Sequence, residues 1–89
     1  MPGDFSLEQN YPNPFNPTTT IRYGLPQGVI VTLTVYNTLG QKIAELVHGL
    51  QEAGYHEVRF DGTNFASGVY FYRIQAGGFV KTRKLLLLR

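Results

Sequence analysis

The 89-residue sequence contains no cysteine and no tryptophan. The lack of cysteine excludes disulfide bonds, thiolate metal sites and cysteine nucleophiles. The sequence also has no window that approaches the roughly 18 consecutive apolar residues of a membrane-spanning helix. Charged residues make up only 16% of the chain and hydrophobic residues 43%, a balance that is wrong for a disordered segment. We therefore expect one folded domain, because a chain of this length has room for a single core.

Acidic residues are absent after Asp61, which makes the two parts of the chain electrically unequal. Residues 1–61 hold three Lys or Arg against six Asp or Glu, whereas the last 28 residues carry five basic residues and a charge of +5. A nucleic-acid site spreads its basic residues over a face or along a groove-binding helix. Here they cluster on one terminal segment beside a leucine run, and we expect no nucleic-acid partner.

The residue types that catalysis needs are scarce. His48 and His56 are the only imidazoles, and no pattern places a nucleophile or a paired carboxylate beside either of them. His56 is expected to be a structural histidine with a satisfied hydrogen bond, and His48 to be solvated. The segment Asp61–Asn64 lacks the oxygen-ligand spacing of a calcium loop and predicts a turn. The sequence therefore predicts no enzyme, no metal site and no cofactor.

Alternation with a period of two residues, punctuated by Gly and Pro, predicts strands along almost the whole chain. The predicted strands are Phe5–Gln9, Thr18–Leu25, Val29–Asn37, Gln41–Val47, Tyr55–Asp61, Val69–Ala76 and Phe79–Leu88. Seven short strands without helical crossovers are typical of an all-β, immunoglobulin-like antiparallel sandwich, and a small Greek-key barrel is the alternative. The inner faces are expected to bury Val31, Leu33, Val35, Val58, Phe60, Tyr70, Tyr72 and Ile74.

One stretch fits two secondary structures. Gln41–Val47 can be a strand, but Leu39, Ile43, Leu46, Val47 and Leu50 also follow the spacing of a helical stripe. Gly49 and Gly54 are expected to bracket the turn that follows. The alternatives of strand and helical turn both stay open for residues 41–50.

A proline-rich segment follows the first predicted strand, and its residues are Pro12, Asn13, Pro14, Phe15, Asn16 and Pro17. Three prolines in six residues exclude both a helix and the interior of a sheet. Their fixed φ angles make such a segment inexpensive to order, and a ring gives it something to bury. We expect it to cross one end of the sandwich with Phe15 or Tyr11 inserted.

The sequence as a whole resembles a known family through four blocks in order. The blocks are residues 11–19 (YPNPFNPTT), 35–42 (VYNTLGQK), 66–73 (ASGVYFYR) and 81–88 (KTRKLLLL). Together they resemble the type A C-terminal sorting domain of the type IX secretion system, which is related to the immunoglobulin-like domain of the flagellar hook-cap protein. Beside the proline segment, the positions expected to maintain this fold are Gly40, Gly68 and Tyr70.

The resemblance implies a non-catalytic signal domain at the C-terminus of a larger exported protein. Its implied partners are an N-terminal passenger, the type IX outer-membrane translocon and a surface peptidase; the oligomeric state is left open. The implied route runs through the periplasm to the outer-membrane surface or the medium. Residues 1–4 are expected to be a linker remnant or an expression boundary, residues 5–89 to be the domain, and cleavage to fall upstream of Phe5 or within the first few residues.

The basic last strand is the best candidate for recognition, because it is terminal and its leucine run is longer than one sheet face is expected to bury. The candidate recognition residues are Lys81, Arg83, Lys84, Leu85, Leu86, Leu87, Leu88 and Arg89. Two other functions stay open. One is a structural module that assembles with its own kind, and the other is a carbohydrate-binding or adhesive module that uses the aromatic row of Tyr70 and Tyr72.

Overall fold

The computed structural model describes residues 2–89, which form seven β-strands in two antiparallel sheets. The strands are β1 (Ser6–Leu7), β2 (Thr18–Leu25), β3 (Val29–Tyr36), β4 (Lys42–Gln51), β5 (Gly54–Asp61), β6 (Gly68–Ala76) and β7 (Phe79–Leu87). One sheet has the strand order β1-β2-β5 and the other β4-β3-β6-β7. The prediction of an all-β sandwich is confirmed, and the division into two sheets distinguishes it from the Greek-key barrel.

Alternation places the expected side chains in the core between the sheets. On β3, Val31, Leu33 and Val35 are fully buried, while Ile30 on the opposite face is exposed. Phe60 on β5 and the row Tyr70, Tyr72 and Ile74 on β6 are also buried, as predicted. Val58 is only half-buried, because β5 is the last strand of its sheet.

Residues 42–51 form a strand, so the helical alternative for this stretch is wrong. The pairing of β3 with β4 shifts register twice: Leu33 faces Val47 but Thr34 faces Glu45, and Val35 faces Ala44 but Tyr36 faces Lys42. Each shift is a β-bulge that inserts one extra residue, first Leu46 and then Ile43. Two bulges break the two-residue period and produce apolar spacings that resemble those of a helix. The turn that follows is shorter than expected, since Gly49 lies within β4 and only residues 52–53 separate β4 from β5.

The first strand is also shorter than predicted, since only Ser6 and Leu7 of the expected Phe5–Gln9 are assigned to it. The Glu8 amide still donates to the Arg22 carbonyl (2.9 Å), but the chain then turns away from β2. The amide of Asn10 instead donates to the Tyr72 hydroxyl on the other sheet (2.8 Å). The pairing of β1 with β2 thus ends before Asn10, because the Asn10 amide bonds to a side chain of β6 instead of to β2.

The proline-rich segment connects the two sheets, as expected. Tyr11 forms an isolated antiparallel bridge with Thr20 of β2, and Phe15 forms a parallel bridge with Leu87 of β7. The Phe15 side chain is 1% exposed and that of Tyr11 80%, so Phe15 is the inserted ring. The Phe15 ring contacts Phe60 edge to face at a centroid distance of 5.9 Å. Within residues 2–89, no helix is long and apolar enough to cross a membrane.

Candidate functional site

The last strand, β7, lies at the edge of the four-stranded sheet and pairs with β6 over its whole length. Alternation divides its leucines between two faces. Leu85 and Leu87 are fully buried in the core, whereas Leu86 is half-buried and Leu88 is 50% exposed. One face of the sheet does not bury the whole leucine run, as expected. The reason is the pleat of the strand, which directs every second leucine to the opposite face. Leu86 and Leu88 are the accessible members of the run.

The basic residues of β7 lie on both faces of the strand, Lys84 on one face and Lys81 and Arg83 on the other. Lys84 is exposed on the outer face, opposite Phe71 of β6. Lys81 is exposed, and Arg83 is half-buried and donates from Nε to the Leu7 carbonyl (2.6 Å). Among residues 2–89, the only ion pairs are Arg22–Glu57 and Lys42–Glu45. The positive charge of β7 is therefore not neutralised by neighbouring carboxylates.

Arg89 has a different environment from the other candidate residues. Its backbone amide donates to the Ser67 hydroxyl (3.0 Å). Its Nη1 donates to the carbonyls of Gly62, Thr63 and Phe65. One guanidinium thus satisfies three carbonyls of the β5–β6 connection, and Arg89 ties the C-terminal end of the chain to that loop.

The outer edge of β7 is partly covered by the segment before β2. Gln9 donates from Nε2 to the Lys84 carbonyl (2.7 Å), and the Leu86 amide donates to Oδ1 of Asn13 (3.0 Å). The Phe15 amide donates to the Leu86 carbonyl, and the Leu88 amide donates to the Phe15 carbonyl, both at 2.9 Å. These contacts satisfy the edge from Lys84 to Leu88 and leave the first half of β7 uncovered.

Gln9 and Asn10 are contact residues that the sequence analysis did not single out, whereas Asn13 was expected as part of the proline-rich segment. The Asn10 side chain donates to the Pro12 carbonyl (3.2 Å) and to the Thr19 hydroxyl (3.0 Å), although Asn10 is almost fully buried. Side-chain amides next to prolines often replace backbone hydrogen bonds in irregular segments. Their clustering around Pro12 and Pro14 was the available sequence signal.

Gly40 and Tyr70 each have a structural role. Gly40 has φ +80° and closes a turn built on Asn37, whose Oδ1 accepts from the amides of Leu39 (2.9 Å) and Gln41 (3.0 Å). The Tyr70 hydroxyl donates to the Ala66 carbonyl (2.6 Å), four residues upstream. This contact is a tyrosine corner, a feature of immunoglobulin-like sandwiches.

Gly68 begins β6 with φ +151°, a backbone conformation that side chains rarely adopt. Tyr70 follows two residues later in the same strand. Gly68 and the tyrosine corner therefore both lie at the start of β6. Among residues 2–89, no atom lies close enough to Gly68 to exclude a larger side chain, so its backbone conformation is the reason for a glycine at this position.

The aromatic row of β6 is part of the core. Tyr70 is 9% exposed and Tyr72 is 0% exposed, so neither ring is available as a carbohydrate platform. The Tyr72 hydroxyl donates to the Glu8 carbonyl (2.6 Å) and accepts from the Asn10 amide. Burial raises the pKa of Tyr72 to about 12, and the Asn10 hydrogen bond and the charge of Arg83 act weakly in the opposite direction.

The two histidines occupy the expected environments. His56 stacks on Tyr23 with ring centroids 5.2 Å apart, and its Nε2 lies 2.7 Å from the Glu52 carbonyl. His48 is exposed, and its Nδ1 lies 3.3 Å from the Thr32 hydroxyl. In the part of the chain that the structure describes, no three His, Asp or Glu side chains are grouped as metal ligands.

The described residues thus form a small immunoglobulin-like sandwich, and the exposed lysines of its edge strand β7 form no ion pair among residues 2–89. The sequence matches the family model described as "Secretion system C-terminal sorting domain" over residues 9–88. The chain therefore belongs to the C-terminal sorting domain family of type IX secretion. No curated protein was found to match the sequence. The family acts as a sorting signal, and its members mark proteins for the cell surface or for secretion.

Proposed function

We propose that this domain directs an N-terminal passenger from the periplasm through the type IX outer-membrane translocon, and that a surface peptidase then removes it. The observation that carries the proposal is the family match over residues 9–88. Cleavage before Phe5, or within the first few residues, would leave the sandwich intact. Gly3 and Asp4 are exposed and precede β1, whereas the Phe5 ring stacks on Phe79 with centroids 5.4 Å apart.

The translocon recognises the folded domain through the basic edge strand. Lys81 and Lys84 are exposed, form no ion pair within residues 2–89, and attract an acidic receptor surface over a long range. Arg83 adds to this field while it also holds β1 against the edge. Leu86 and Leu88 supply the apolar contact, because they are the leucines that the fold leaves accessible.

The remaining candidate residues stabilise β7 through contacts within the domain. Leu85 and Leu87 anchor β7 in the core, and Arg89 fixes the end of the chain to the β5–β6 loop. Their contribution to sorting is to hold the strand in place. This division of labour separates residues whose loss changes recognition from residues whose loss changes folding.

A charge-removal experiment tests the recognition surface. The domain is fused to a reporter in a type IX-competent host, and Lys81 and Lys84 are both replaced by Gln. Secretion should fall about tenfold or more, if the lost attraction is worth at least 1.4 kcal/mol. Stability should change by less than about 0.5 kcal/mol, because both side chains are exposed and neither forms an ion pair in the described part of the chain. Reporter activity in the medium and thermal melting of the purified domain measure the two quantities.

The matched control removes the same charge elsewhere. Arg22→Gln with Lys42→Gln lowers the net charge equally, and each of these residues forms only an exposed ion pair. This variant should be secreted like the parent. If the Lys81→Gln/Lys84→Gln variant is folded and secreted as well as the control, the basic edge is not the signal.

A further inference from the structure

Three of the four sheet edges carry a feature that discourages pairing with another chain. The edge at β1 is two residues long and is followed by the proline segment. The edge at β7 is covered from Lys84 to Leu88 by Gln9, Asn13 and Phe15. The edge at β4 contains two β-bulges. Short edges, covering loops and bulges are the usual protections against edge-to-edge association.

The remaining edge, β5, lacks these protections. It has eight residues, contains no proline, and pairs with β2 from Thr18–Asp61 to Leu25–Gly54 without a register shift. Hydrogen bonds from Glu8 to Arg22 and between Tyr11 and Thr20 direct the backbone groups of Arg22 and Thr20 away from β5. Because antiparallel pairing alternates, the backbone groups of Tyr55, Glu57, Arg59 and Asp61 then point outward from β5.

The side chains along this edge are self-complementary. Glu57 and Arg59 are exposed on the same face, one residue on either side of Val58. Arg59 has no carboxylate within ion-pair distance among residues 2–89. If two β5 strands pair antiparallel about Val58, each Glu57 lies opposite the other copy's Arg59, and Tyr55 lies opposite Asp61.

This register also allows backbone hydrogen bonds between the two copies, because it places residues whose N–H and C=O groups point outward opposite one another. Moving the second strand by two residues in either direction keeps that condition but places Glu57 opposite Glu57 or Arg59 opposite Arg59. Like charges directly opposite each other destabilise a strand pair. Of these three registers, only the one centred on Val58 combines backbone pairing with opposite charges, and it brings the two half-buried Val58 side chains together.

We propose that β5 is a homotypic interaction edge, through which two copies of the domain join their three-stranded sheets into one six-stranded sheet around a twofold axis at Val58. The contact is one strand wide, so its area is small and the dimer is weak and transient. It leaves β7 free on each copy, since β5 and β7 belong to different sheets. The proposal is independent of the sorting role.

Crosslinking tests the twofold axis directly, because the chain has no cysteine of its own. In Val58→Cys, the two thiols of a dimer face each other across a non-hydrogen-bonded pair, where Cα atoms about 4.5 Å apart allow a disulfide. Mild oxidation should give a covalent dimer. The matched control is Val80→Cys on β7, which introduces a thiol at an exposed edge position and should crosslink at least about tenfold more slowly. Equal rates for the two variants would overturn the proposal.

Sedimentation equilibrium of the unmodified domain tests the charges. Its average mass should rise with concentration, and Arg59→Glu should raise the dissociation constant about tenfold, because it places two like-charged pairs in the interface. Arg73→Glu makes the same charge change on β6, at an exposed site outside this edge, and should leave dimerisation unchanged. Adding Glu57→Arg to Arg59→Glu, together with Arg22→Glu so that position 57 keeps an oppositely charged partner on β2, should restore association. A monomer at every concentration, or equal effects of Arg59→Glu and Arg73→Glu, would refute the β5 dimer.

Discussion

Phe15 and Tyr11 show how two rings in one short segment acquire opposite roles. Both flank prolines, and the sequence predicted that one of them would be inserted without deciding which. The difference between the two rings follows from strand pairing. Tyr11 forms its bridge with Thr20, which lies on the outward-facing side of β2 together with Thr18 and Arg22. Phe15 forms its bridge with Leu87, whose side chain lies in the core. The partner strand, rather than the local sequence, determines which ring is buried.

Replacing Phe15 with Ala should destabilise the domain by about 3 to 4 kcal/mol, because it removes a fully buried ring and leaves a cavity beside Phe60 and Leu87. Tyr11→Ala is the matched control in the same segment. It should cost less than about 0.5 kcal/mol, since that ring is 80% exposed. Urea unfolding measures both variants. Similar losses for the two would show that the segment is stabilised without the inserted ring.

Tyr72 should make stability depend on pH in the alkaline range. Its pKa is 10.0 without the fold and about 12 within it. Between these values the unfolded chain has released the phenolic proton while the folded chain retains it. The unfolded state then binds fewer protons, so the free energy of unfolding falls as pH rises, by at most about 1.4 kcal/mol per pH unit.

Tyr72→Phe isolates this contribution. The variant should lose about 1 to 3 kcal/mol at neutral pH, because the Asn10 amide and the Glu8 carbonyl lose their buried partner. Its stability should fall less steeply than that of the parent between pH 10 and pH 12. Tyr55→Phe, at an exposed tyrosine, is the control and should keep the slope of the parent. Parallel curves for the parent and Tyr72→Phe would contradict the assignment to Tyr72.

At the level of the elements, the strands that follow a simple alternation were predictable and the bulged strand was not. The bounds of β2 match the prediction, and those of β3, β5, β6 and β7 differ by one residue. In β4 the half-buried side chains come in adjacent pairs, Ile43 with Ala44 and Leu46 with Val47. These pairs result from the bulges opposite β3, and a bulge depends on a partner strand that the local sequence does not identify.

The end of β7 should show an abrupt dependence on length. Removing residues 88–89 deletes the half-exposed Leu88 and the contacts of Arg89, and should cost about 1 to 2 kcal/mol. Removing residues 87–89 also deletes the fully buried Leu87, and should cost a further 2 to 5 kcal/mol or so. Thermal melting of the two truncations measures the step. A loss of secretion in the longer truncation would then report unfolding, and equal melting temperatures would show that Leu87 is dispensable.

At the level of the whole molecule, the candidate site was predictable only in part. The concentration of basic residues near the C-terminus is a property of the sequence, and alternation predicts which leucines share a face. The contacts that set the edge were not predictable, because they join distant parts of the chain: Gln9 to Lys84 across 75 positions and Asn13 to Leu86 across 73. Such contacts exist only once the strands have been divided between two sheets.

The contact between Phe15 and β7 has a consequence for the order in which the protein is made. A ribosome synthesises Phe15 long before Leu87, so the backbone bridge between Phe15 and Leu87 cannot form until β7 has emerged. Closure of the sandwich therefore waits for the synthesis of β7, and contacts of such large sequence separation form slowly. A chain that stops before β7 lacks the strand that completes the core. The finished fold is thus a record that synthesis proceeded through β7.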